Sequence, residues 1–152
     1  MAEKLSGKDN RVFTILGDGE LNEGQCWEAF QFMAHNKLNH CIVFVDNNKR
    51  QHDGYCTEVL NPFSYEEKMR AFGFWAITVD GASEEAIDDA INLAKTVPDK
   101  AICIILDTVK GTGVSYMTNS VAWHGKGPND EEYQVAMNEL NAAYAALEQE
   151  EN

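Results

Sequence analysis

The sequence predicts an α/β protein with a doubly wound, mostly parallel sheet. Two apolar runs, at residues 41–46 and 101–106, are continuous rather than alternating, which is typical of parallel strands covered on both faces. From residue 11 onward, strand-like runs alternate with stretches whose apolar residues recur at helical spacing. This alternation favours helices packed on both faces of one sheet. No internal repeat or boundary interrupts the pattern, so we expect residues 1–152 to form a single domain.

The predicted elements follow a polar lead-in that ends in a turn at residues 7–10. Strands are predicted at 11–16, 41–46, 74–79 and 101–106, and helices at about 22–36, 64–72, 83–94 and 130–147. Asn22, with Gln25 three residues later, predicts the start of the first helix. Ser83, followed by two glutamates that suit the positive end of a helix, predicts the start of the third.

Two stretches lack periodicity and are predicted as loops. Residues 49–62 follow the second strand, and residues 107–128 follow the fourth. The second loop is rich in glycine, and loops of that length are usually functional or mobile.

A glycine-rich turn and an asparagine pair follow the first two predicted strands. Gly17 and Gly19 carry no Cβ, so the backbone can turn tightly and approach a ligand. Because the carboxyl ends of parallel strands open at one sheet edge, Asp18 and Asn48 are expected to converge. Their oxygens suit Mg²⁺ or Ca²⁺, and the helix that follows favours an anion at its start, which together predict a metal-bridged diphosphate. Alternatively, Asp18 caps a turn and Asn48 occupies a left-handed position.

Composition excludes several classes of protein. At 152 residues the chain is 44% hydrophobic and 10% aromatic, as expected of a globular domain. A net charge of −13 argues against nucleic-acid binding, since no basic patch is available to neutralise phosphates. The acidity favours solubility and self-repulsion over a role in partner binding.

The sequence also bears on location. No apolar run approaches the roughly 20 residues needed to cross a membrane, and the polar start is unlike a signal peptide. The four cysteines form no CxxC pair, and Cys41 and Cys103 lie in strand-like runs as small hydrophobic residues. We expect a reduced, cytoplasmic protein without membrane contact.

Three stretches carry a resemblance to a known family. The pattern Gly17-Asp18-Gly19 followed by Asn47-Asn48 resembles the thiamine diphosphate and metal-binding motif of thiamine-dependent enzymes. More specifically, the sequence is similar to transketolase at residues 15–25, 109–115 and 122–126. The resemblance is closest to the N-terminal subunit of split bacterial transketolases and covers nearly the whole chain. It implies a thiamine diphosphate-binding fold.

The resemblance assigns roles to the residues at the motif. It implies that Asp18 and Asn48 ligate the metal through their side chains and Arg50 through its carbonyl. Gly17, Gly19 and Glu20 belong to the cofactor-binding turn.

Other roles are implied further along the chain. His124 would lie over the diphosphate and the sugar substrate, where it would donate a hydrogen bond or relay a proton; the alternative is a structural histidine. Glu23 and Glu28 would belong to a chain of carboxylates that links active sites across a dimer, or they stabilise the helix dipole instead. Lys110 is either a phosphate contact or a solvated lysine.

The sequence departs from the family in two respects. Arg50 and His52 stand where the family usually has apolar residues, and a guanidinium beside a thiazolium and Mg²⁺ is unfavourable unless it points to solvent. The resemblance also begins well inside the N-terminal subunit, which implies a partial cofactor site truncated at its N-terminus. Because part of one sheet face would then be uncovered, we expect exposed apolar surface and a homo-oligomer.

Two classes of function are therefore expected. The first is an enzyme component that binds thiamine diphosphate with Mg²⁺ or Ca²⁺ and works with a pyrimidine-binding subunit on sugar phosphates. The second is a non-catalytic interaction or assembly module. Within the enzyme class, a pyruvate dehydrogenase component or a deoxyxylulose-phosphate synthase is an alternative, but the Trp123-His124-Gly125 segment favours transketolase.

Overall fold

A parallel sheet forms the centre of the fold. In the computed structural model, which describes residues 1–8 and 10–150, the sheet consists of β1 (Val12–Gly17), β2 (Cys41–Asn47), β5 (Trp75–Asp80) and β6 (Ile102–Asp107). These four strands are all parallel and lie in the order β1-β2-β6-β5. A separate antiparallel hairpin consists of β3 (Arg50–Gln51) and β4 (Gly54–Tyr55).

Helices precede, connect and follow these strands. They are α1 (Ala2–Ser6), α2 (Gly24–His35), α3 (Cys56–Val59), α4 (Tyr65–Ala71), α5 (Glu84–Lys95) and α6 (Asp130–Glu150). Two short 3-10 turns are Glu20–Asn22, which follows β1, and Val121–Trp123, which lies between β6 and α6. Among the described residues no helix combines the length and the apolar character needed to cross a membrane.

Two apolar clusters cover opposite faces of the sheet. On one face, Phe30 of α2 and Met69 of α4 pack with Val43, Val45 and Cys103. On the other face, Ala90 and Ala94 of α5 pack with Ile42, Ile102 and Ile104. Alternate residues of β2 and β6 thus enter opposite clusters, which confirms the doubly wound α/β fold and explains why these strands are continuously apolar.

The predicted start of the first helix is wrong by two residues. Leu21 is buried and fixes a 3-10 turn before the helix begins at Gly24, with Glu23 at the N-cap. The Asn22 amide instead donates to Gln51 Oε1 at 2.9 Å. Ser83, by contrast, caps α5 as predicted, since its Oγ accepts from the Ala86 backbone N–H at 3.2 Å.

The segment predicted as a loop at residues 49–62 contains the β3–β4 hairpin and α3. These elements are too short to produce a hydrophobic period, and Arg50 pairs with Tyr55 across the hairpin. The glycine-rich segment 108–129 remains without strands and leads into α6. Asp9, which belongs to the predicted turn at 7–10, lies outside the described residues. Residues 151 and 152 also lie outside them.

Apolar surface remains open at β1 and α6. Strand β1 is an edge strand, and Phe13 and Ile15 are 52% and 69% exposed on the face that α5 covers elsewhere. Among the residues of α6 whose burial is described, only Ala136 is buried, and the apolar residues Leu140, Tyr144 and Leu147, which recur at helical spacing, are largely exposed.

Candidate functional site

The carboxyl ends of β1 and β2 bring the glycine-rich turn and the asparagine pair together. The strands pair Gly17 with Asp46, and the Asp18 N–H donates to the Asp46 carbonyl at 3.1 Å. A cavity of about 640 Å³ opens at this edge, a size usual for small-molecule sites. Its lining comprises Gly17, Asp18, Gly19, Glu20, Asn22, Glu23, Asp46, Asn48, Arg50, Gln51, His52, Asp53, Lys110 and His124.

Asp18 is a buried carboxylate at the base of the cavity. The residue is only 1% exposed, and its two oxygens accept backbone N–H groups from Gly19 at 2.8 Å and Lys49 at 2.6 Å. Burial raises the pKa of Asp18, although these N–H groups and the Cys56 thiol act in the opposite direction. Because a carboxylate offers about four lone-pair sites, both oxygens still have capacity for a further ligand.

Asn48 and the two residues after it form a hydrogen-bonded turn, in which Lys49 contacts Asp18. The Asn48 amide donates to Asp46 Oδ2 at 2.9 Å, and its Oδ1 accepts the Arg50 N–H at 3.0 Å. The left-handed position suggested for Asn48 belongs instead to Lys49, whose φ is 65°. That conformation directs the Lys49 N–H to Asp18.

The glycine-rich turn packs against the β3–β4 hairpin. A Cβ on Gly19 would lie 2.7 Å from the Gln51 Cβ, so the close approach at this glycine is to the hairpin. Glu20 binds the turn itself, because its Oε2 accepts the Gly17 N–H at 3.1 Å.

The two glutamates of the predicted carboxylate chain lie apart from each other. Glu23 is at the N-cap of α2 and lines the cavity. Glu28 is exposed on α2 and is not part of the cavity lining.

His124 reaches the cavity from the long loop. Its ring lies 5.5 Å from that of His52, centroid to centroid, in an edge-to-face arrangement. Burial lowers the pKa of His124, and the charges of Lys110 and His52 lower it further. Lys110, for which a solvated position was the alternative, lines the same cavity.

The side chain of Arg50 does not point to solvent. Arg50 is 5% exposed, and its guanidinium carbon lies 3.1 Å from the centroid of the Tyr55 ring. Its Nε and Nη2 donate to Asn119 of the long loop. The guanidinium is thus fixed by the hairpin and the loop.

Sequence reasoning missed several residues of this site. Tyr65, far away in sequence, donates its hydroxyl to the Asp18 carbonyl at 2.9 Å. Asp46 accepts from Asn48 and Thr108. Because Asp46 directly precedes Asn47-Asn48, its place in the site could have been predicted from the sequence. The sequence around Tyr65 and Asn119 contains no comparable indication.

The donor set fits a divalent cation. Asp18 and Asn48 oxygens and the carbonyl of Arg50 are hard ligands of the kind that Mg²⁺ and Ca²⁺ prefer. Among the described residues no group of three or more His, Cys, Asp or Glu side chains is arranged to hold a metal. A metal here would therefore rely on amide and backbone oxygens.

The charges around the cavity also suit an anion that binds together with a divalent cation. Five carboxylates line it against the cations of Arg50 and Lys110, so a bare polyanion would be repelled. Arg50 Nη1 and His124 Nδ1 are buried and have no hydrogen-bond partner within the part of the chain that the structure describes. Buried polar atoms without partners are rare, and a bound group with acceptor oxygens would satisfy the arginine.

This combination of fold and site defines a class of protein: a parallel α/β domain with a polar ligand cavity at the carboxyl ends of its strands. Residues 2–146 match the family described as transketolase, thiamine diphosphate binding domain. The chain belongs to this family.

Similar proteins include subunits of two-part transketolases. The chain is 39% identical over 141 residues to the 6-deoxy-6-sulfo-D-fructose transketolase subunit SqwG of Clostridium sp. (strain MSTE9), a match that covers 92% of this chain and 51% of the relative. It is 32% identical over 152 residues to an apulose-4-phosphate transketolase subunit of Phocaeicola vulgatus, and this match covers 100% of this chain and 54% of the relative. The chain spans about half the length of these curated relatives.

Solved transketolases share the fold. A crystal structure of transketolase from Campylobacter jejuni superposes with a TM-score of 0.83 at 26% identity. The superposition covers 92% of this chain and 22% of that one.

Proposed function

We propose that this chain is the diphosphate-binding component of a transketolase, which holds thiamine diphosphate through Mg²⁺ or Ca²⁺. The observation that carries the proposal is the buried carboxylate of Asp18 beside Asn48 at the cavity. Two backbone N–H groups offset only part of the cost of burying this carboxylate, because burial still raises the pKa of Asp18, and a divalent cation would compensate the remaining cost. We further propose that residues 1–152 act as one domain.

The proposed roles follow from the positions of the side chains. Asp18 and Asn48 hold the cation with the carbonyl of Arg50, while Gly17, Gly19 and Glu20 form the turn beside the diphosphate. His124 donates or accepts a proton at the substrate, which suits a histidine kept neutral by its surroundings. Glu23 can contribute to a carboxylate chain at the cavity, whereas Glu28 would do so only at a subunit interface.

The cofactor supplies the carbon–carbon chemistry when bound. The substrates we propose are a ketose phosphate that gives up a two-carbon ketol unit and an aldose phosphate that receives it. The relatives named as subunits support a pyrimidine-binding partner subunit that completes the enzyme. We expect the isolated chain to be inactive, and its four free cysteines support a cytoplasmic location.

Calorimetric titration of thiamine diphosphate, with and without Mg²⁺, tests cofactor binding. We expect metal-dependent binding that Asp18→Ala weakens by at least about tenfold, as loss of a charged ligand should. Asp80→Ala is the matched control, because Asp80 ends β5 at the same sheet edge but does not line the cavity. If the folded chain binds no cofactor, either alone or with a pyrimidine-binding subunit, the proposal is wrong.

Ketol transfer is a separate test. The chain is combined with a transketolase subunit that binds the pyrimidine and, where needed, with a preceding segment from a relative, and transfer from xylulose 5-phosphate to ribose 5-phosphate is measured. Cofactor binding without transfer under these conditions would favour the second candidate, an interaction or assembly module. The exposed apolar residues Phe13 and Ile15 are the observation that favours that candidate.

A further inference from the structure

Arg50 joins two parts of the cavity that are distant in sequence. Its backbone lies at the floor, where its N–H donates to Asn48 Oδ1 at 3.0 Å. Its side chain crosses to the long loop, 69 residues further along the chain. One residue thus contacts both the floor and the loop.

The contact with the loop has a defined geometry. Arg50 Nε and Nη2 donate to Asn119 Oδ1 at 3.1 and 2.8 Å, and Nη2 also donates to the Asn119 carbonyl at 3.0 Å. The guanidinium also packs on the Tyr55 ring. A planar fork stacked on an aromatic ring is a geometry that arginine provides and lysine does not.

Asn119, which Arg50 holds, also binds a second residue of the loop. Its own N–H donates to the Lys110 carbonyl at 2.7 Å, which closes the segment between residues 110 and 119. Asn119 has a φ of 59°, so its backbone is in the left-handed region. The two ends of the segment are therefore fixed relative to the hairpin by one arginine.

The loop carries two side chains of the cavity, Lys110 and His124. Lys110 is the residue whose carbonyl Asn119 binds, and His124 follows Asn119 by five residues. The base of the loop is secured separately, because Lys49 Nζ donates to the Thr108 carbonyl at 2.9 Å and pairs with Asp107. Beyond its base the loop contacts α6 through Ser115 and Tyr116, and it contacts the hairpin through Arg50.

We propose that Arg50 is a positioning residue whose guanidinium, through Asn119, holds the loop with Lys110 and His124 over the cavity. This explains why a cation lies beside the proposed metal site: its hydrogen bonds and its aromatic contact direct two of its nitrogens away from the metal. The proposal rests on the proposed function only for its effect on cofactor affinity.

Hydrogen exchange of the chain without cofactor tests the effect on the loop. We expect Arg50→Met to accelerate exchange of amides at 111–124 by at least about tenfold, as loss of charge-assisted hydrogen bonds should. Arg50→Lys should not restore protection, because lysine cannot form the fork. Asn119→Gly removes the side-chain acceptor at an exposed position, and glycine tolerates the positive φ. It should accelerate exchange of the same amides.

A double-mutant cycle separates positioning from a general loss of stability. If Arg50 acts through Asn119, the combined variant should show clearly less than the sum of the two single effects on loop protection. Arg70→Met is the matched control, because Arg70 also binds a carbonyl, that of Ala76, but lies outside the cavity. Unchanged loop exchange in Arg50→Met and Asn119→Gly, or strictly additive effects, would overturn the proposal.

The dissociation constant of thiamine diphosphate with Mg²⁺ provides the second readout. We expect this dissociation constant to rise by at least about threefold in Arg50→Met and in Asn119→Gly, and to stay unchanged in Arg70→Met. If the parent chain shows no binding but Arg50 still protects the loop, the proposed function fails and the positioning role stands. If cofactor binds equally well to all variants, Arg50 does not position the loop for the ligand.

Discussion

Burial shifts the pKa values of two cavity residues in opposite directions. It raises the pKa of Asp18 and lowers the pKa of His124, since removal from water disfavours the charged form of each group. For His124 the neighbouring Lys110 and His52 side chains add to the effect. The cavity by itself therefore favours the neutral forms of Asp18 and His124, and a bound cation would reverse that preference at Asp18.

Metal-dependent cofactor affinity should fall on acidification. A proton competes with the cation for Asp18, and the raised pKa means that competition begins above the ordinary value of 3.8. The same shift implies that ionised Asp18 reduces the stability of the metal-free fold, and that this cost decreases as pH falls through the raised pKa toward 3.8. Titrations of thiamine diphosphate at several pH values, with and without Mg²⁺, measure the effect. Affinity that is independent of pH over a range where the fold remains intact would contradict it.

His124 should titrate with a pKa below its ordinary value of 6.5. Protonating His124 in the folded chain is disfavoured, so its contribution to stability decreases as pH falls through 6.5. We expect Lys110→Met to move the midpoint of the imidazole resonances upward, because it removes a neighbouring positive charge. Lys100→Met, at an exposed position outside the cavity, serves as the control. A midpoint at or above 6.5 in the parent chain would be inconsistent with the packing of His124.

At the scale of elements, long segments follow from the sequence and short ones do not. The sequence predicts strands β2 and β6 from their runs of apolar residues and helix α5 from its serine cap. The structure confirms these three elements. The β3–β4 hairpin and α3 lie where the sequence predicts a loop, because two- to four-residue elements are fixed by their neighbours rather than by periodicity. The hairpin matters most, since it brings Arg50, Gln51 and His52 to the cavity.

The cap of α5 gives a prediction at this scale. Ser83→Ala removes an acceptor for the Ala86 N–H and should lower the free energy of unfolding by about 1 kcal/mol. Urea denaturation followed by circular dichroism measures the change. Ser120→Ala is the control, because Ser120 precedes a 3-10 turn without making a side-chain cap hydrogen bond. Equal effects of the two substitutions would show that the cap contributes nothing specific.

For the whole molecule, the most distinctive surface is the uncovered part of the sheet at β1. Phe13 stacks on Phe44 at 6.2 Å between ring centroids, yet it remains half exposed, as does Val12. The outer edge of β1 has no neighbouring strand among the described residues. Open strand edges and apolar patches both favour association.

We predict that the chain associates with itself through β1. Ile15→Lys should shift sedimentation or light scattering toward the monomer, since it places a charge in the apolar patch. Phe63→Lys, at another highly exposed position, is the control. Because the net charge is −13, association should strengthen when salt screens the repulsion. A parent chain that remains monomeric at high micromolar concentration would refute this prediction.

The order of apolar runs, the glycine-rich turn and the asparagine pair were enough to predict the parallel sheet and the position of Asp18 and Asn48 at one sheet edge, where both line the cavity. These follow from sequence because strand periodicity and the geometry of parallel strands are general. The family likewise follows from motifs that each lie within a short stretch of the chain.

Only the tertiary structure decided how the site is enclosed. The side chain of Arg50 turns away from solvent toward Asn119, Tyr65 binds the Asp18 carbonyl, and His52 meets His124. Each of these contacts joins residues at least 47 positions apart and depends on where a loop or hairpin folds back. Local propensity carries no information about such contacts, because they arise from the packing of the folded chain rather than from the preferences of neighbouring residues.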